Sequence, residues 1–183
     1  MKYNLAWLQA EAAKGKNLKY LFFWGHQPSK DGQITKSCFS QWWVAPFIQE
    51  QTTFSSAEHW MMAEKARLFN DTETYDRILT CKTPAEAKKL GRMVRGFDQT
   101  IWEQQSYSMV VQGNYLKFSQ HTALKEFLLQ TQDRVLVEAS PVDPIWGIGL
   151  AEDHPDVLYP DKWKGTNLLG FALMEVRDQL KIE

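Results

Sequence analysis

Cysteine is scarce in this chain. Cys38 and Cys81 are the only two, they lie far apart, and they share no CxxC spacing. That pattern gives no basis for a disulfide framework or a zinc knuckle. Long apolar runs are missing too: nothing approaches the ~18 consecutive apolar residues of a membrane span. The opening Met1-Lys-Tyr-Asn-Leu-Ala-Trp7, followed by Glu11 and several lysines, has no secretory core or cleavage pattern. The expectation is a soluble, cytoplasmic protein with no membrane partner. Charge of one sign is absent as well, with 21 Lys and Arg against 22 Asp and Glu. A net charge of −1 argues against a generic nucleic-acid coat and leaves room for local basic patches.

The common catalytic signatures are absent. There is no P-loop and no GxSxG elbow. Gly147-Ile-Gly149 follows a strand-like segment but runs into Glu152, Asp153 and Pro155, a poor dinucleotide fingerprint. His26, His59, His121 and His154 have no metal-ligand spacing, and Glu58-His59 lacks the second His of a zinc-protease helix. Repeats, low-complexity tracts and linkers are also lacking. A chain of 183 residues suits one domain with a sizeable core.

What is abundant is tryptophan, with eight copies. Indoles bury well when the ring N–H finds a partner, and most of the eight are expected to do that. Flat rings also clamp heterocyclic bases. Residues 4–14 suggest an amphipathic helix, Tyr20–Trp24 a buried strand, and 37–47 an extended aromatic stretch. Further helices are expected over 57–69 and 72–79. Thr83-Pro-Ala-Glu86 starts another, with Thr as N-cap, Pro at the first helical position and Glu three residues past the cap. That helix should bury Ala87, Leu90, Gly91 and Val94 and stop at Gly96. Lys88, Arg92 and Arg95 form a cationic stripe on its other side, either a solvated face or a phosphate contact. A helix capped by Asp98 or Thr100 carries Trp102, Met109 and Val110 and is interrupted at Gly113-Asn114. Residues 134–139 have the best strand signature, and Asn167 caps a last helix. The expected architecture is mainly α, a single compact helical domain with a few short strands.

Two segments hold the candidate chemistry. In Ser55-Ser-Ala-Glu-His-Trp-Met-Met-Ala-Glu-Lys-Ala-Arg-Leu-Phe69, a Ser caps a helix whose apolar face gathers Ala57, Met61, Met62, Leu68 and Phe69. Glu58 and Lys65 fall on that same face, about two turns apart. A buried charge costs several kcal/mol unless paired or used. The pair is therefore either a buried ion pair or an acid and an amine lining a cleft. In the second segment, Asp143 and Trp146 sit in a Pro- and Gly-rich loop just past the strand. Asp143 either caps a tight turn or joins Glu58 as one of two carboxylates able to cleave a glycosidic bond.

Seven blocks in chain order complete the pattern. They are Ser40-Gln-Trp-Trp-Val-Ala-Pro-Phe47, Ala57-Glu-His-Trp-Met-Met-Ala-Glu-Lys-Ala66, Ala87-Lys-Lys-Leu-Gly-Arg92, Gly113-Asn114 with Lys117-Phe118, Glu138-Ala-Ser-Pro141, Asp143-Pro-Ile-Trp-Gly-Ile-Gly149 and Asn167-Leu-Leu-Gly170. Together they resemble the NADAR (YbiA-like) family. The likeness makes residues 1–183 one such domain, with a core of about 20–181 and residues 1–15 as an N-terminal helical extension.

The resemblance implies an N-glycosidase that cleaves ribose–nitrogen bonds. The implied substrates are phosphoribosylamino-pyrimidine intermediates of riboflavin biosynthesis, or alternatively ADP-ribose on guanine bases of DNA or on related guanine compounds. It matches family residues important for activity to Glu58, Trp102, Asp143 and Trp146, and a lysine with a part in the chemistry to Lys65. The expected site is catalytic Glu58, Lys65 and Asp143, with Trp102 and Trp146 binding substrate; Arg92, from the cationic stripe, and Asn114 are further substrate-binding candidates. The resemblance favours the catalytic over the structural reading of the charges on the Glu58 helix. Two routes stay open: carboxylate-assisted attack by water, or Schiff-base formation by a neutral Lys65 on a ring-opened sugar. Neither needs a metal or redox cofactor. The implied partner is a small nucleotide-like substrate, with no obligate protein partner. Competing readings are a non-catalytic ADP-ribose or NAD-binding module, and a helical interaction domain with a Glu58–Lys65 ion pair.

Overall fold

The computed structural model describes residues 1–182, among which are seven α-helices and four short strands, a mainly helical architecture. The chain divides into two compact units: Gln41–Thr122, and Met1–Ser40 together with the chain from Ala123 onward.

In the Gln41–Thr122 unit, β2 (Val44–Gln49) and β3 (Thr52–Ser56) form an antiparallel hairpin. Its register shifts between Val44 and Phe47, which accommodates Pro46 in the strand. The turn uses Glu50 and Gln51, both at positive φ (47° and 68°). Gln120 covers the β2 edge: its side-chain carbonyl accepts the Ile48 N–H (2.9 Å) and its amide donates to the Ile48 carbonyl (2.8 Å).

Helix α2 (Ala57–Leu68) follows directly, with the Ser56 side chain accepting the His59 N–H. Ala57 through Ala63 are all buried, so this is the central helix of its unit and not an amphipathic one. It packs against α3 (Thr72–Leu79), α4 (Pro84–Gly91), α5 (Gln99–Ser119) and β3. The capping box of Thr83 and Glu86 is formed, and α4 ends at Gly91, short of Gly96. Ala87, Gly91 and Val94 are buried as expected, while Leu90 is half-buried.

Contrary to expectation, α5 runs through Gly113-Asn114 without a break. Gly113 is not a breaker but a contact point: a Cβ there would lie 2.8 Å from Trp60 Nε1. Bare backbone lets the Trp60 indole lie against α5 and donate to the Met109 carbonyl (3.2 Å). Phe47, Phe54 and Trp60 complete this core, with ring centroids 5.0–6.2 Å apart.

In the other unit, β1 (Tyr20–Phe23) and β4 (Val135–Glu138) pair in parallel, and α7 (Leu168–Leu180) packs on β4. Gly170 makes this close approach possible, since a Cβ would strike the Leu136 carbonyl. Asn167 precedes α7 at φ 55°. It does not cap the helix; its side chain accepts the Glu138 N–H (2.9 Å) and donates to the Leu136 carbonyl (2.9 Å). Helix α1 (Leu5–Ala13) is capped by Asn4, and α6 (Thr122–Leu129) leads into the Ala123 side of this unit. Phe23, Phe39 and Phe127 follow one another through the core with centroids 5.5 Å apart, the first pair edge to face and the second tilted. No helix among the described residues is long and apolar enough to cross a membrane.

Candidate active site

The structure brings Lys65 and Trp102 together and adds a ring that sequence reasoning missed. Lys65 Nζ lies 4.1 Å from the centroid of Phe97 and 5.4 Å from that of Trp102. Phe69, at the end of α2, meets Phe97 edge-on at 5.3 Å. Burial among these rings pushes the Lys65 amine below the ordinary lysine range. An aromatic face attracts the ammonium form, and desolvation opposes it; here desolvation prevails. Among the described residues Lys65 forms no ion pair and its pKa is moved by burial alone, so the structure gives no support to the Glu58–Lys65 bridge considered from the sequence. The charged neighbours on α2 are instead spent on one another, Arg67 with Glu64 at 3.3 Å.

Glu58 is 5% exposed, in the first turn of α2, where the helix N-terminus favours a carboxylate. Its backbone N–H donates to the Gln41 carbonyl (2.9 Å). The Gln41 side chain in turn accepts from Asn114 Nδ2 (2.7 Å), which also donates to the Val110 carbonyl (2.8 Å). Asn114 is fully buried, and its Oδ1 has no hydrogen-bond partner among the described residues. This geometry ties α5 to the segment before β2. The amide thus holds protein to protein, which is not the geometry of an amide turned toward solvent and substrate.

The cationic stripe on α4 comes apart. Arg95 is bound to Asp71 and Glu73, and Lys88 lies over the Trp42 ring at 5.6 Å. Arg92, at the C-cap of α4, is exposed.

Asp143 and Trp146 belong to the other unit, on the loop after β4. Asp143 Oδ1 accepts the backbone N–H groups of Ile145 (2.9 Å) and Trp146 (2.8 Å), the turn-capping geometry weighed from the sequence. The loop is wound tightly. Gly147 faces the Asp143 and Glu138 carbonyls at 2.9 Å from any added Cβ, and Trp146 and Gly147 carbonyls accept from Leu169 and Asn167. Trp146 is half-buried.

Of the other tryptophans, two are core packing residues and Trp24 is 56% exposed, so fewer of the eight are buried than expected. Trp60 and Trp163 are buried, the latter donating to the Val157 carbonyl (2.9 Å). His59 is a core histidine: Nε2–H donates to the Ile78 carbonyl (2.8 Å), and Nδ1 accepts the Ser55 N–H (3.0 Å). Among the described residues no three His, Cys, Asp or Glu side chains converge as metal ligands would.

Phe97 left one trace in the sequence. It is a lone large apolar residue between Gly96, the helix stop expected from the sequence, and Asp98, a candidate cap, where no periodicity would have placed it.

A helical fold carrying a desolvated primary amine beside aromatic faces is a setting for carbonyl or glycosyl chemistry. Comparison with known proteins defines the class. The chain is 42% identical over 166 residues to an N-glycosidase of Acanthamoeba polyphaga mimivirus, covering 88% of this chain and 96% of that one. It is 31% identical over 145 residues to N-glycosidase YbiA of Escherichia coli, covering 79% and 82%. The solution NMR structure of Escherichia coli YbiA superposes with a TM-score of 0.72 at 27% identity, over 90% of this chain and 86% of that one. These matches make the chain an N-glycosidase. The NADAR domain matches residues 22–181, and the chain belongs to that family.

Proposed function

We propose that the chain hydrolyses the N-glycosidic bond of a phosphoribosylamino-pyrimidine, the type of intermediate met in riboflavin biosynthesis. The observation that carries this reading is the Lys65 amine, desolvated between Phe97 and Trp102 with its pKa lowered. A sugar joined to an exocyclic amine opens readily to an imine at C1. The neutral Lys65 amine adds to that carbon, and the C1–N bond to the pyrimidine breaks as its nitrogen takes a proton. Water then adds to the lysine Schiff base, releasing the sugar aldehyde and restoring the amine. Glu58, in the first turn of α2, is the proposed carboxylate that stabilises positive charge at C1 or moves protons there. Asp143 is the second proposed catalytic carboxylate, and Trp102 and Trp146 are the proposed platforms for the base.

The runner-up substrate is ADP-ribose linked to guanine. The exposed Arg92 guanidinium favours it, being suited to a pyrophosphate. Incubating the purified protein with each compound and assaying free base and reducing sugar tests the two. Release of pyrimidine and ribose phosphate is the expected result. Release of guanine alone transfers the assignment to ADP-ribosyl guanine, and release from neither overturns both.

A further inference from the structure

Phe97 is a large apolar residue that is 41% exposed, yet the chain is held on both sides of it. On one side, Arg95 anchors the chain. Its backbone N–H donates to Asp71 Oδ2 (2.9 Å), and Nε and Nη2 donate to Oδ1 (3.2 and 2.5 Å). On the other side, Asp98 caps α5 by accepting the Ile101 N–H (2.9 Å). Between them Gly96 takes φ 69°, a left-handed conformation that turns the chain back toward α2. A corner fixed at both ends thus presents one ring, with Lys65 Nζ 4.1 Å from its centroid and Phe69 against its edge.

Packing alone does not explain an exposed aromatic held this way, because a buried site would return more stability for the same ring. We propose that Phe97 is a positioning residue that covers the Lys65 amine, fixing it against α2 and keeping water from it during the reaction. The assignment of chemistry to Lys65 is the reading given above, and the cover rests on it only for its effect on turnover.

Burial is the cause of the lowered Lys65 pKa, with no contribution from a charged neighbour among the described residues. Glu64 pairs with Arg67 on α2, and Asp71 and Glu73 of the α3 start hold Arg95. On α4, Glu86 closes its capping box, Lys88 faces Trp42, and Arg92 is exposed. On α5, Asp98 caps the helix and Glu103 accepts from Gln99; β3 carries no charge.

Competitive labelling of lysines with a trace amine reagent, read by peptide mass across pH, measures the Lys65 titration without using activity. The variants are Phe97→Ser, which opens the cover, and Phe97→Leu, which keeps apolar bulk. In Phe97→Ser the neutral fraction of Lys65 near pH 7 should fall about tenfold, the equivalent of one pKa unit. Phe97→Leu should fall between that variant and wild type. The acid limb of kcat/KM should move to higher pH in the same order, with rates converging above it. A labelling shift without a shift of the rate profile would uphold the cover and overturn Lys65 as nucleophile. Identical Lys65 titration in wild type and both variants would overturn the cover itself.

Discussion

Asp71 and Arg95, 24 residues apart in sequence, are joined by three hydrogen bonds, and the carboxylate that accepts them is 1% exposed. Asp71 also caps α3 through the Thr74 N–H (3.2 Å). One side chain therefore fixes both a helix start and the corner that carries Phe97. These hydrogen bonds hold the Asp71 carboxyl far below the usual carboxylate range.

The sign of the resulting pH dependence follows. A depressed carboxylate contributes stability in full above its unfolded pKa of about 4, and loses it as pH falls through the folded value. Wild type should thus lose thermal stability steadily below pH ~4. Asp71→Asn should melt lower than wild type at pH 7, and the gap should close in acid. A gap that persists unchanged at pH 2 would rule out this linkage.

His59 titrates in a different window. Burial pushes its pKa below the ordinary value, while both ring nitrogens are committed to Ile78 and Ser55. The unfolded chain takes up a proton below about pH 6.5 that the folded chain refuses. Stability should therefore fall as pH drops below that point, before Asp71 begins to matter. His59→Gln should remove this step and cost about 1–3 kcal/mol at pH 8 through the disturbed hydrogen bonds. Urea unfolding at pH 8, 6.5 and 5 checks it, and a wild-type profile flat across this range would sink the idea.

Gly113→Ala tests why α5 is continuous. In an exposed helix interior the change would gain about 1 kcal/mol of propensity. Here the new Cβ meets the Trp60 ring, so overpacking of about 1–3 kcal/mol should outweigh that gain. Chemical denaturation decides the sign. A variant more stable than wild type would mean that Trp60 shifts freely.

The same glycine shows where sequence reasoning reached its limit. Local signals were readable: the Thr83–Glu86 box marks the start of α4, and the structure chooses Ser56 of the serine pair before α2 and Asp98 over Thr100 before α5. Nonlocal ones were not. Gly113 reads as a breaker until Trp60 is known to lie on it. Arg95 reads as part of a solvent stripe until Asp71 is seen to hold it. The β2–β3 hairpin has no Asn-Gly signal because Glu50 and Gln51 supply the positive φ values themselves. At the candidate site, Lys65 was readable because a charge on an apolar helix face is costly. Phe97 was not, because an exposed ring on a loop breaks no pattern.

The last prediction separates the two chemical routes. If Lys65 attacks C1, borohydride added during turnover should reduce the Schiff base and leave a sugar adduct on the Lys65 peptide. Lys65→Arg keeps the positive charge beside Phe97 and Trp102 but removes the titratable amine, since a guanidinium is effectively never deprotonated. Turnover should then fall by at least ~100-fold, the low end of what a catalytic group contributes, while substrate affinity is kept. Glu58→Gln should lower turnover by a similar ~100-fold factor without preventing adduct formation on prolonged trapping, because the nucleophile remains. If direct water attack operates instead, Lys65 serves only as a cation over the rings. Arginine, which stacks on aromatic faces at least as well, should then preserve most of the activity. An active Lys65→Arg enzyme with no trapped adduct in wild type would leave hydrolysis to the carboxylates alone.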